Sequence, residues 1–269
     1  MKVICDINVW YAISQHGINI SSELRKHELY ITNLSLFELI SSRMLKSNFE
    51  TVQQVIFSIT KYSSEIFSQN DAQQIILAQK PDYIDSLALT QKDNIYKLID
   101  SFCKADKVED LDFNYDYFIQ VREQETVKWG LIMKELVNEL RINRITEYDV
   151  IKIRTSEILI QHVKWYLSQN SPSTIIENYF LDKFEFFLDC YSLYLLEFIK
   201  KPKKVFDMND YIDFMNLLYC TNGYKYFTLE SEKRNRLGAI LRDSKFSDKY
   251  LLPNDSFIKE QINRVFQQK

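Results

Sequence analysis

Four acids in this sequence sit where a carboxylate is costly. Asp6 follows the apolar run Val3-Ile4-Cys5, and Glu38 lies among Leu34, Leu36, Phe37, Leu39 and Ile40. Asp213 is embedded in Tyr211-Ile212 and Phe214-Met215, and Glu230 closes the segment that starts at Tyr224. Four carboxylates brought together without counterions repel one another and take up protons. With hard divalent cations they become a binding site instead, because oxygen ligands suit Mg²⁺ or Mn²⁺. Such a site can activate water and clamp both oxygens of an in-line phosphoryl displacement. Two of these acids also have a plainer use: Asp6 or Asn8 can cap a helix beginning near Val9, and Glu38 can pair with an arginine such as Arg43.

The elements that must position these acids follow from the hydrophobic pattern. Val3 to Cys5 has the continuous apolar character of a central parallel strand covered on both faces. An acid at such a strand's carboxyl end stands where ligands gather in open α/β sheets. Leu29 to Thr32 reads as a second strand, with Asn33 or Ser35 as the cap of the helix that carries Glu38. Asn209 to Tyr219 is apolar nearly all round, as a buried helix is. Asp210 and Asp213 project from neighbouring positions on one of its faces. Asn222-Gly223 marks a turn, Tyr224 to Phe227 a strand, and Thr228-Leu229-Glu230 its polar end. Lys249 to Leu252 reads as a last strand and Ser256 to Gln268 as a terminal helix.

From about Asn48 to Lys204 the texture changes to helical spacings, as in Val52-Val55-Ile56-Ile59 and Trp129-Ile132-Met133-Leu136-Leu140, and strand signals nearly vanish. Ser171-Pro172-Ser173 is the clearest breaker before a helix expected over Ile175 to Lys200. The run Lys200-Lys201-Pro202-Lys203-Lys204 reads as a solvated helix end favoured by the macrodipole. Asp110 to Asp116 begins like a calcium loop, but Tyr115 stands where that loop needs glycine and Val121 where it needs a bidentate glutamate.

The 269 residues suffice for one large or two ordinary domains, and 46% hydrophobic content with only four glycines and four prolines favours a mostly helical body. A net charge of −3 gives no global attraction to a polyanion. The four cysteines are scattered without zinc-site spacing, and the three histidines are isolated. Asp6 and Asn8 interrupt the first apolar run too early for a signal peptide, and no stretch of about 18 uncharged apolar residues is present, so a cytoplasmic protein without a membrane span is expected.

In its acidic segments the chain resembles the PIN-domain nucleases. The matching pieces are Val3-Ile4-Cys5-Asp6-Ile7-Asn8 for that family's first strand, and Ile31 to Leu39 for the strand and helix carrying its glutamate. Asp210-Tyr211-Ile212-Asp213 with Asn216 and Tyr219 stands for the third acidic segment, and Phe227-Thr228-Leu229-Glu230 for the strand end that usually reads Thr-x-Asp. The resemblance implies a three-layer α/β fold with a central, mostly parallel sheet of four or five short strands. Residues 1–47 and 205–269 would form this core, and 48–204 a large all-helical insertion, far longer than the family's compact form. It implies that Asp6, Glu38, Asp213 and Glu230 ligate Mg²⁺ or Mn²⁺, while Asn8, Asp210, Thr228 and Asn216 support them. Glutamate at 230 departs from the commoner aspartate, and Asp85, in a second Asp-Tyr-Ile-Asp, is an alternative third ligand. Lys233, Arg234 and Arg236 are candidate phosphate contacts or an exposed helix face.

The implied activity is endoribonucleolytic, leaving a 5′-phosphate and a 3′-hydroxyl, in a toxin–antitoxin or defence setting. The implied partners are an RNA substrate, an antitoxin or other protein on the helical insertion, and a second copy in a homodimer. A catalytically weak protein-binding module and a structure-specific DNA nuclease are the competing readings.

Overall fold

A computed structural model describes residues 1–17, 24–80, 83, 86–170, 182–201, 203–221, 223–229 and 236–251. Its centre is a five-stranded sheet in the order β3-β2-β1-β4-β5, formed by β1 (Lys2–Cys5), β2 (Glu28–Thr32), β3 (Ser63–Phe67), β4 (Lys225–Phe227) and β5 (Tyr250–Leu251). All four pairings are parallel; Ile4 registers with Tyr30 on one side and Tyr226 on the other. Parallel strands need helical crossovers, which cover both faces and demand apolar residues on each. β1 meets that demand with three fully buried residues, Val3, Ile4 and Cys5.

Alternation along the strands sorts these residues into two cores. Ile4, Tyr30 and Tyr226 face α5 (Asp71–Gln79), α8 (Tyr148–Asn170), α9 (Glu185–Lys200) and α10 (Met208–Asn216), together with part of α7 (Tyr115–Ile142). Val3, Cys5, Leu29, Ile31 and Phe227 face α1 (Ile7–His16), α2 (Asn33–Ile40), α4 (Phe49–Tyr62) and α6 (Ser86–Lys104). The short α3 (Met44–Ser47) follows α2, and α11 (Arg236–Asp243) packs on α9 and α10.

Several sequence expectations need correction. The stretch 48–204, expected to be all helical, supplies β3, and its helices share a hydrophobic cluster with sheet residues. The cap of α2 is neither Asn33 nor Ser35 but Thr32, whose hydroxyl accepts from the Ser35 amide at 3.1 Å. Lys204 is no solvated helix end: its side chain is 3% exposed, lies over the Tyr194 and Phe198 rings, and reaches Glu197 at 3.0 Å. The expected turn before β4 contains Gly223 at φ +87°, a backbone region that glycine enters without steric cost. The terminal helix expected over 256–268 lies outside the described residues. Among the described residues, no helix is long and apolar enough to cross a membrane.

Candidate metal centre

The sheet changes direction of growth at β1. From there the chain adds β2 and β3 on one side, then β4 and β5 on the other. Crossovers therefore diverge beyond the carboxyl ends of β1 and β4, opening the crevice in which doubly wound sheets bind ligands.

Asp6 stands at that point. It caps α1 by accepting the Ile7 amide at 2.6 Å through Oδ1, so the capping use expected from sequence is also made. Its other oxygen, Oδ2, accepts from Asn8 Nδ2 at 2.6 Å and from Thr228 Oγ1 at 2.7 Å. Asn8 Oδ1 in turn accepts the Leu229 amide at 2.9 Å, and the Asp6 amide donates to the Phe227 carbonyl at 2.9 Å. These bonds fasten the end of β1 to the end of β4 and fix the Asp6 carboxylate. Burial raises its pKa above the ordinary carboxylate range, and the donors Thr228, Ile7 and Asn8 partly offset the rise.

Glu38 comes from the second turn of α2 and Asp213 from α10, which packs on α2. Asp6, Glu38 and Asp213 each offer a carboxylate oxygen within 4.8 Å of the others, a spacing at which the three can hold a metal ion. Asp6 is 2% exposed and Asp213 6%. Glu38 Oε2 is buried without a hydrogen-bond partner among the described residues, an orphan acceptor that a cation would satisfy. Burial raises the Glu38 pKa well above its usual range; Asp6 raises it further, Arg122 opposes the rise, and Asp207 adds to it.

The cation placed against Glu38 is not Arg43, which pairs with Glu123 at 2.7 Å, but Arg122 from α7. Its guanidinium lies 4.0 Å from Glu38 Oε1, donates to the Glu38 main-chain carbonyl at 2.9 Å, and also bonds Asn209. Arg122, Asp207 and Tyr11 neighbour the acids without any signal in the sequence. The Tyr11 hydroxyl is pushed up to about 12, first by burial and then by Glu38, with Arg122 opposing. Only the hydrophobic surroundings of Arg122 in α7 could have hinted at it, and they resemble those of any partly buried helix.

The supporting residues divide. Asn8 and Thr228 hold Asp6, as above. Asn216 holds elements rather than a carboxylate: its Nδ2 donates to Ser35 Oγ at 3.1 Å and its Oδ1 accepts from Thr32, which locks α10 to the start of α2. Asp210 turns to α9, where the Tyr194 hydroxyl donates to it at 3.2 Å. Glu230, Lys233, Arg234 and Asp85 lie outside the described residues, and Arg236 begins α11. No family model matches the chain, no curated protein matches it, and no solved structure matches it.

Proposed function

We propose that this chain is a metal-dependent endoribonuclease of PIN-like architecture. The observation that carries the reading is the convergence of Asp6, Glu38 and Asp213, from three separate elements, at the switch point of a parallel sheet, with Glu38 Oε2 buried and without a hydrogen-bond partner among the described residues. Asp6, Glu38 and Asp213 would hold Mg²⁺ or Mn²⁺, with Glu230 as a fourth acid; carboxylate oxygens are the donors these hard ions take. When bound, such an ion lowers the pKa of water and shares the charge that develops on a phosphodiester during in-line displacement.

The chain's own residues supply orientation. Asn8 and Thr228 donate to Asp6 Oδ2 and leave the carboxylate little rotational freedom. Arg122 grips the Glu38 carbonyl and so fixes the turn of α2 from which the Glu38 side chain departs. Its side chain is 17% exposed, and its guanidinium would also offer a fixed positive charge for a phosphate oxygen. Burial of Asp6 and Asp213 thins the competing water and strengthens every charge interaction in the crevice. The choice of RNA, and a toxin or defence setting, follow the resemblance to PIN nucleases.

The test is cleavage of a mixed-sequence RNA with and without Mn²⁺ by the wild type, Asp6→Asn and Asp213→Asn. Metal-dependent cleavage lost in both variants supports the reading, and undiminished cleavage in both overturns the site. A second reading, a partner-binding module, is favoured by one row on α7: Val127, Leu131 and Ile132 are 65%, 56% and 37% exposed. No Mn²⁺ binding at millimolar metal would favour it over catalysis.

A further inference from the structure

A cavity of about 530 Å³ opens between α2, α6 and α7, within the span of roughly 300–1,000 Å³ usual for small-molecule sites. Phe37, Phe113 and Phe118 form its aromatic walls, and Asn33, Gln91 and Asn94 bring amide groups to it. The three rings are only partly buried; Phe113 meets Phe118 edge-on at 5.6 Å, and Phe37 meets Phe118 at 6.5 Å. Gln91 Oε1 is buried with no hydrogen-bond partner among the described residues. A lone buried acceptor is destabilising until a donor reaches it.

The chemistry asked for is therefore a flat aromatic body with N–H groups on its edge. The cavity also shares two of its helices with the acid centre. α2 carries Phe37 in the cavity wall next to Glu38, and α7 carries Phe118 one turn before Arg122, which bonds the Glu38 carbonyl. We propose that this cavity takes a nucleobase of the substrate, stacked on the phenylalanine walls and bonded at its edge by Gln91 and Asn94. The proposal rests on the nuclease reading of the acid centre. Aromatic stacking accepts any base, whereas amide groups opposite a base edge discriminate among bases. The cavity would thus set base preference beside the cleaved bond.

The experiment is saturation-transfer NMR on the full chain in EDTA, with AMP, GMP, CMP and UMP as probes and ribose 5-phosphate as a control. At least one monophosphate should bind at millimolar concentration or below, and ribose 5-phosphate should not displace it. Gln91→Ala should weaken that binding about tenfold, the loss of one hydrogen bond, with unchanged thermal unfolding and unchanged Mn²⁺ affinity. Phe118→Leu, which keeps an apolar side chain in the wall, should weaken it as well. Binding by none of the four, equal binding to Gln91→Ala, or displacement by ribose 5-phosphate overturns the proposal. The two readings fail separately: RNA cleavage without monophosphate binding removes the base site alone, and monophosphate binding without Mn²⁺-dependent cleavage removes the nuclease alone.

Discussion

Among the described residues, aspartate is buried in two places, and they solve the problem in opposite ways. Asp189, on α9 and 4% exposed, accepts from the Tyr148 and Ser244 hydroxyls and from the Lys245 amide at 3.3 Å. Donors surround it, and they tie α8 and the end of α11 to α9. At the switch point, by contrast, Asp6 is held by donors yet faces two further carboxylates, and one oxygen of Glu38 has no hydrogen-bond partner among the described residues. Burial alone therefore does not mark a site. A buried acid answered by donors holds the fold together; buried acids facing one another store a free-energy cost that a cation removes.

The comparison can be broken most decisively by exchanging what is removed. Asp6→Asn and Asp213→Asn should each reduce metal-dependent RNA cleavage by about a hundredfold or more, since even outer partners of metal ligands cost about 10–100-fold. Gel assays with Mn²⁺ check this, and both variants should remain folded. Asp189→Ala should do the reverse, leaving Mn²⁺ affinity unchanged while stranding buried donors. Its expected cost is about 3 kcal/mol, a fall in Tm of roughly 6–12 °C for a chain of this size.

Acidity sharpens the contrast further. The native pKa values of Asp6 and Glu38 are raised, so above the ordinary carboxylate pKa of about 4 the folded chain binds more protons than the unfolded one. The stability that these two acids contribute to the metal-free protein must then fall as pH rises from about 4 through the raised native values. Saturating Mn²⁺ or Glu38→Gln should flatten that slope, which urea unfolding across pH 5 to 8.5 measures. The smallest expected effect belongs to Arg122. Arg122→Gln removes a positive charge 4.0 Å from Glu38 and should tighten Mn²⁺ binding by about threefold to tenfold in a calorimetric titration.

The parts of this arrangement that sequence made legible are those where an acid interrupts an apolar run. Asp6, Glu38 and Asp213 announce themselves because their neighbours are buried, and β1 because three consecutive residues are apolar. β3 did not, for a physical reason: it continues directly from α4, lies at the sheet edge, and exposes Ser64 and Glu65, so Ser63 to Phe67 carries only two apolar residues. Arg122 was hidden by distance, since it meets Glu38 across 84 positions from a helix whose own pattern gives it no special place. Asn216 supports the acids at one remove. It lies three residues beyond Asp213 and so looked like a ligand's companion, yet its amide is used to latch α10 onto Thr32 and Ser35.

We propose that Asp6, Glu38 and Asp213 form one hard-cation site. Anomalous diffraction from crystals of the wild type soaked in Mn²⁺ tests it most directly. A manganese peak is expected in direct contact with an oxygen of each of the three carboxylates, at about 2.0–2.3 Å. Full-occupancy density with no peak there, at millimolar Mn²⁺ and with the three side chains ordered, would contradict it.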